Sequence, residues 1–258
     1  MEFKAFAFDI DGTLTIPATR EYVKSAVEAI RQLQAKGKKV LITTGRPLFA
    51  VTETKENGIY PDYYACANAH LLTDGDCNII FSKKIDKDVF DDVNKYCTEK
   101  NIGLFWKFEE GVFAYVVTDA LLSFFLRAPN NSLTPHPDKD ALPNSGTITC
   151  ELEVKNQFME VFGDRVECVR GEPDIYDINA KGYSKKTGLG ILLDMINVKP
   201  EECMAFGDNE NDVEMLEYVG VGVCMGDGTE ECKQHADYVT SATYDDGILK
   251  ALQHFNIL

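Results

Sequence analysis

Apolar positions along the chain change period several times, and each change predicts an element. Phe3 to Phe8 is a short, nearly continuous apolar run, the pattern of a strand buried on both faces. Thr19 to Lys36 carries Val23, Ala26, Val27, Ile30 and Leu33 at helical spacing, with Gly37 as its stop. Lys39 to Thr43 predicts a second buried strand, ending in Thr44-Gly45-Arg46-Pro47. Pro47 is placed to open a helix at its first position, and Gly58 to close it. Tyr63 to Ala67 predicts a third strand, ending at Asn68. Leu71-Leu72 and Ile79-Ile80-Phe81 flank Asp74-Gly75-Asp76 as a hairpin. Strands alternating with helices imply a parallel sheet with right-handed crossovers.

The pattern changes near Lys83-Lys84. A helix is predicted over Asp86 to Lys100, with Val89, Val93 and Tyr96 or Cys97 on its apolar face. A hairpin follows from Leu104 to Phe108 and Val112 to Thr118, then a short helix over Ala120 to Arg127. Ala128 to Gly146, with four prolines, reads as loop. A strand over Thr147 to Val154, a helix over Asn156 to Phe162 and strands over Arg165 to Val169 and Ile175 to Ile178 complete the region. Trp106 and the Phe-rich strands here are expected in a core. Helices mixed with hairpins predict an α+β module inserted into the parallel domain. From Ser184, a fair N-cap, the parallel pattern returns. It gives a helix through Ile196, a strand over Cys203 to Phe206 and a helix over Val213 to Tyr218. A strand over Val219 to Met225, a helix over Glu230 to His235, the strand Tyr238-Val239 and a helix over Asp246 to Phe255 follow.

Candidate chemistry sits at the ends of these strands, where open α/β sheets bind ligands. Asp9 and Asp11 close the first strand ahead of Gly12. Two acids so close are costly unless a cation holds them or one is protonated. Asp9 suits a nucleophile toward phosphorus, and Asp11 an acid toward the leaving oxygen and then a base toward water. The plain alternative is a strand-end Asp-Gly turn. Thr44, backed by Gly45, can hold a phosphoryl oxygen with its hydroxyl and nearby N–H groups. Lys185 stands at the positive start of a helix, misplaced there unless an anion faces it; Lys181 and Lys186 are alternatives. Gly207-Asp208-Asn209-Glu210-Asn211-Asp212 is a second strand ending in acids. Asp9, the Asp11 carbonyl and Asp208 suit Mg²⁺, which takes a few oxygens and keeps several waters. Asp212 is better placed to hold Lys185 or a metal-bound water. Arg46, Asn68, His70 and the loop from 128 to 146, with His136, are candidates for substrate contact. Gly188-x-Gly190 lacks the strand-turn context of a nucleotide site.

Charge and cysteine usage narrow the classes. The 258 residues carry a net charge of −16, which argues against a nucleic-acid partner. An acidic protein that handles phosphate needs local positive charge, as a metal supplies. Eight cysteines are scattered without a C-x-x-C pair, the usage of a reducing compartment. No signal peptide and no membrane span are apparent, so a cytoplasmic protein is expected.

Asp9-Ile-Asp11-Gly-Thr, Thr44-Gly-Arg46, Lys185 and Gly207-Asp208-x-x-Asn211-Asp212 resemble, in order, the four motifs of the haloacid dehalogenase (HAD) superfamily. The insertion between the second and third is similar to the type IIB cap of its Cof-like sugar phosphatases. Thr44-Gly-Arg-Pro, Gly222-Val-Cys-Met225-Gly226 and Ala236-Asp-Tyr-Val-Thr240 followed by Asp246-Gly247 resemble that branch specifically. Asn68-Ala69-His70 and Gly226-Asp227-Gly228 depart from it, where Asn-Gly and Gly-Asn-Ala are usual. The resemblance implies a Rossmann-like three-layer parallel-sheet core of residues 1–83 and 181–258 with a cap of residues 84–180. It implies a Mg²⁺-dependent phosphatase for small phosphorylated metabolites, with Asp9, Asp11, Thr44 and Lys185 catalytic. Gly45, Arg46, Asn68 and Asn211 would bind substrate, Asp9, Asp11 and Asp208 the metal, and Asp212 would support them. Neither a nucleic-acid nor a membrane partner is expected, and the chain is expected to be a monomer or weak homodimer. A phosphomutase using the same aspartyl phosphate and a phosphate-sensing module without turnover are the rival readings.

Overall fold

The computed structural model describes residues 2–125 and 131–258. Its elements in chain order are β1 (Ala5–Phe8), α1 (Lys24–Ala35), β2 (Lys39–Thr43), α2 (Glu53–Glu56), β3 (Tyr63–Cys66), β4 (Leu71–Asp74) and β5 (Ile79–Ser82). Then come α3 (Lys87–Lys100), β6 (Gly103–Lys107), β7 (Val112–Val116), α4 (Asp119–Phe125), β8 (Asn131–Ser132), β9 (Ser145–Thr149), α5 (Leu152–Phe162), β10 (Val166–Glu172) and β11 (Ile175–Ala180). The last group is α6 (Lys185–Met195), β12 (Cys203–Gly207), α7 (Val213–Tyr218), β13 (Val221–Cys224), α8 (Glu230–His235), β14 (Tyr238–Val239) and α9 (Gly247–His254).

Strand alternation builds the first three layers. The sheet runs β14-β13-β12-β1-β2-β3-β4-β5, parallel from β14 through β3, with β4 and β5 antiparallel at one edge. In β1, Phe6 and Phe8 point to one face and pack with Val27, Ile30 and Leu33 of α1 and Ile248 and Leu252 of α9. Ala5 and Ala7 point to the other face, where their small size lets Leu189, Leu192 and Leu193 of α6 come close. This is a mixed α/β, Rossmann-like core. The second sheet runs β10-β11-β9-β6-β7-β8 and is antiparallel except for β7 with β8. One face packs Leu104, Trp106, Ile148 and Ile178 against α3 and α5. Trp106 is fully buried and donates to Asn94 Oδ1, as expected of a core residue. The opposite face carries Phe105, Lys107, Thr147 and Asp177, which the register aligns side by side.

Several predicted boundaries are corrected. The helix expected from Thr19 begins at Lys24, because Tyr22 bridges back to Thr15 and Val23 donates to the Leu14 carbonyl. Pro47 does not start a long helix. It is extended (ψ 163°) ahead of a single 3₁₀ turn, Leu48–Ala50, and the four-residue α2. The strand expected over Thr147 to Val154 is β9, which starts two residues earlier and stops at Thr149; α5 then begins at Leu152. Val154 looked like strand sequence but lies on that helix. The proline-rich loop includes β8 and the first residues of β9. The ends of the helix expected over Ala120 to Arg127 and the start of that loop fall on residues 126–130, outside the described residues. Among the described residues no helix is long and apolar enough to cross a membrane.

Candidate active site

Four adjacent strands, β12, β1, β2 and β3, deliver the site from their carboxyl ends. The register pairs Phe8 with Phe206 and with Ile42, and Thr43 with Ala65. Asp9, Asp208, Thr44 and Asn68 therefore emerge at one edge. The chain winds from β1 toward β3 on one side and from β12 toward β14 on the other, so this edge holds the topological switch point.

Lys185, at the first position of α6, is buried to 1% and bridges two carboxylates. Its Nζ donates to Asp9 Oδ1 at 2.7 Å and to Asp212 Oδ1 at 2.6 Å. Burial works against the ammonium, but Asp212 and Asp9 outweigh it and hold Lys185 above its ordinary range. Lys181 instead donates to the Gly163 carbonyl, and Lys186 lies over the Tyr218 ring. Asp212 is fully buried and spends its second oxygen on the backbone N–H groups of Asp208 and Asn209.

Asp9 Oδ2 and Asp208 Oδ2 have no hydrogen-bond donor among the described residues, while Asp208 Oδ1 accepts from Thr13 at 3.0 Å. Carboxylate oxygens of Asp9, Asp208 and Asp212 lie within 4.8 Å of one another. Burial, aided by the neighbouring acids, pushes Asp9 up to about 7 and Asp208 well above the usual carboxylate range. A buried acid and a half-buried one, each with an oxygen short of donors, are the donor set a hard divalent cation accepts. The residues present fit such an ion, held by Asp9 and Asp208. Gly12 makes this packing feasible: its φ is +90°, and a Cβ there would lie 2.3 Å from Asp208 Oδ2.

Around this centre Thr44 Oγ1 accepts from the Arg46 N–H, which leaves its own proton to donate outward. Asn68 is buried, with Nδ2 on Asp177 Oδ2 at 2.9 Å and Oδ1 3.4 Å from Asn211 Nδ2. Ala67, Asn68 and Ala69 all have positive φ (50°, 51° and 71°), at a cost of about 1–2 kcal/mol per residue. Backbone bonds from Ala67 N–H to the Arg46 carbonyl and from Asn68 N–H to the Thr44 carbonyl hold the turn. Gly188 of α6 vacates the volume the Ala69 methyl needs, since a Cβ there would lie 2.3 Å from it. At the other departure from the family pattern, Asp227 accepts from the Thr243 N–H and hydroxyl, which ties its turn to the C-terminal region. Asp11 stands apart from the acid cluster and pairs with Arg46.

His70, a candidate for substrate contact, is instead structural. It is buried, with Nε2 accepting from the Ala180 N–H at 2.9 Å and Nδ1 at 2.8 Å from the Ala67 carbonyl. The acceptor role of Nε2 places the proton on Nδ1. Burial pushes its pKa down to about 4. A folded pKa below the free value means the unfolded chain binds the proton first as pH falls. Stability from the neutral ring is therefore present above about pH 6.5 and lost progressively toward pH 4, by ~3 kcal/mol in all. Urea unfolding from pH 7 to 4.5 should show this slope in the wild type and not in His70→Gln. His136 packs on Phe108 and pairs with Glu110 of the turn between β6 and β7.

Sequence reasoning missed the residues the second sheet contributes. Lys107 Nζ donates to the Gly45 carbonyl at 3.0 Å and to Asp177 Oδ1 at 2.8 Å, and Thr147 donates to Asp177 Oδ1 at 2.7 Å. Asn179 Oδ1 lies 3.4 Å from Asn68 Nδ2. The available signal was a charge between Trp106 and Phe108 and the polar alternation of Asp177 and Asn179 about Ile178.

Residues 6–252 match the family of haloacid dehalogenase-like hydrolases, and the chain belongs to that family. It is 27% identical to the 5-amino-6-(5-phospho-D-ribitylamino)uracil phosphatase YcsE of Bacillus subtilis, across 99% of this chain and 96% of that protein. A Streptococcus pyogenes protein named as a bifunctional phosphatase/peptidyl-prolyl cis-trans isomerase is also 27% identical; this chain matches it over its full length but spans only 55% of it. Among solved structures, the HAD subclass IIB sugar phosphatase BT4131 superposes with a TM-score of 0.90 at 28% identity, covering 99% and 100% of the two chains. The protein is a HAD-type phosphatase with a type IIB fold, a family that generally uses a divalent metal.

Proposed function

We propose that the protein is a Mg²⁺-dependent phosphomonoesterase for small phosphorylated metabolites, sugar phosphates above all, working through an aspartyl phosphate on Asp9. The observation that carries this reading is the buried Lys185 bridging Asp9 and Asp212 beside a donor-poor Asp9–Asp208 pair. Lys185 orients the Asp9 carboxylate and favours its ionised form, so that Oδ2 can attack phosphorus. The Thr44 hydroxyl and the Gly45 N–H receive the phosphoryl oxygens, with Asn211 and Asn68 beside them. Asp11 protonates the departing alcohol and then takes a proton from the water that cleaves the acyl phosphate. Asp9, Asp208 and the Asp11 carbonyl would hold Mg²⁺, which neutralises charge on the transferring group when bound. Eight free thiols support a reducing, cytoplasmic setting.

Residues 84–180 act in this reading as a cap over the core of residues 1–83 and 181–258. The cap face turned to the site offers Lys107 and Asp177, whose charges cancel, with Ser145, Thr147 and Asn179 beside them. A neutral, hydroxyl-rich leaving group suits this patch better than a second anion. The test is phosphate release from a panel of sugar phosphates and 4-nitrophenyl phosphate, with Mg²⁺ and in excess chelator. Activity should require the metal. Asp177→Asn should lower kcat/KM for the preferred sugar phosphate more than about tenfold relative to the aryl phosphate, ~1.4 kcal/mol of differential binding. Full activity in chelator removes the metal from the proposal, and a parallel fall for both substrates removes the cap from specificity.

A further inference from the structure

The guanidinium of Arg46 is committed to carboxylates on two edges. Nε donates to Asp11 Oδ2 and Nη2 to Asp11 Oδ1, both at 2.7 Å, and Nη1 donates to Glu53 Oε2 at 2.9 Å. Its backbone is pinned as well, by Thr44 Oγ1 on the N–H and by the Ala67 N–H on the carbonyl. Asp11 is the exception among the site acids. Its side chain is 52% exposed and turned onto Arg46, outside the group formed by Asp9, Asp208 and Asp212.

A fork-to-fork grip is also how arginine takes a phosphoryl group, so one edge cannot serve both partners at once. A second observation marks this arrangement as one of two. The Tyr22 hydroxyl is buried without a hydrogen-bond partner among the described residues, within electrostatic reach of Arg46, Glu53 and Asp11. An unpaired buried hydroxyl is unfavourable, and a rearranged cluster would supply its partner.

We propose that Arg46 is the positioning residue of Asp11 and that it exchanges partners, holding Asp11 while the phosphoryl site is empty and releasing it when a phosphomonoester takes the guanidinium edge. The inference rests on the phosphatase reading above. Released, the Asp11 side chain is free to turn from Arg46 to the ester oxygen, the place the phosphatase reading gives it. The acid thus becomes available only when a phosphoryl group is present.

The test is a cycle of four proteins, wild type, Asp11→Asn, Arg46→Lys and the double variant, titrated calorimetrically with inorganic phosphate in saturating Mg²⁺. With Arg46 in place, Asp11→Asn should tighten phosphate about tenfold or more, because the competing carboxylate is gone. With Arg46→Lys, whose ammonium cannot make the two-pronged pair, the same change should be under about twofold. Arg46→Gln replaces Arg46→Lys if that variant fails to fold. Equal tightening in both backgrounds, or none in either, overturns the exchange. Absence of saturable phosphate binding in all four overturns the phosphate-site reading and the exchange with it.

Discussion

Asp9→Asn abolishes phosphate release while leaving the fold and phosphate binding in place. The amide is nearly isosteric but has no charged oxygen with which to attack phosphorus. Turnover should fall at least about 1,000-fold, or ~4 kcal/mol of barrier, measured as phosphate release at matched metal occupancy. The fold should tolerate the change. Burial already pushes Asp9 up to about 7 in the metal-free protein, so much of the charge removed is charge the site disfavours. Thermal unfolding in chelator should move little. Activity within tenfold of wild type would show that another group is the nucleophile.

Lys185→Met has the largest effect on stability. It removes the only cation hydrogen-bonded to Asp9 and Asp212 among the described residues, and both acids are buried. Stranding buried carboxylates costs about 3–5 kcal/mol. The pH dependence follows from sign. Burial already holds Asp9 up to about 7, above its unfolded value, and loss of Lys185 raises it further, so the penalty is full at high pH and shrinks as pH falls and Asp9 protonates. Urea unfolding in chelator should give a wild-type-to-variant gap that narrows from pH 8 to pH 5. Phosphate release should fall at least about 1,000-fold as well. A gap constant with pH would mean that lost packing, rather than stranded charge, explains the instability.

Asp9, Thr44 and Asp208 were legible because each follows a short apolar run that can only be a buried strand, and a polar residue at such an end is conspicuous. Lys185 was legible for the opposite reason, a lysine at the end of a helix whose dipole repels it. Asp177 and Lys107 were not. They lie within strands of the second sheet, where a polar residue every second position is equally the mark of a solvated sheet face. His70 misled because a single histidine after a strand carries no sign of what will cover it. Ala69 was visible as a departure, but its positive φ and the space left by Gly188 were not.

The sequence by itself determined the alternation of buried strands and amphipathic helices and the acids at the strand ends. These follow from local periodicity and from the spacing of polar residues along one chain. Only the tertiary structure decided that Lys185 holds Asp9 as well as Asp212, that Arg46 grips both Asp11 and Glu53, and that the second sheet turns Lys107 and Asp177 onto Gly45 and Asn68. Those pairings join residues up to 176 positions apart. Each cation had several acids of equal chemistry to choose from along the chain, and distance and burial in the folded state made the choice.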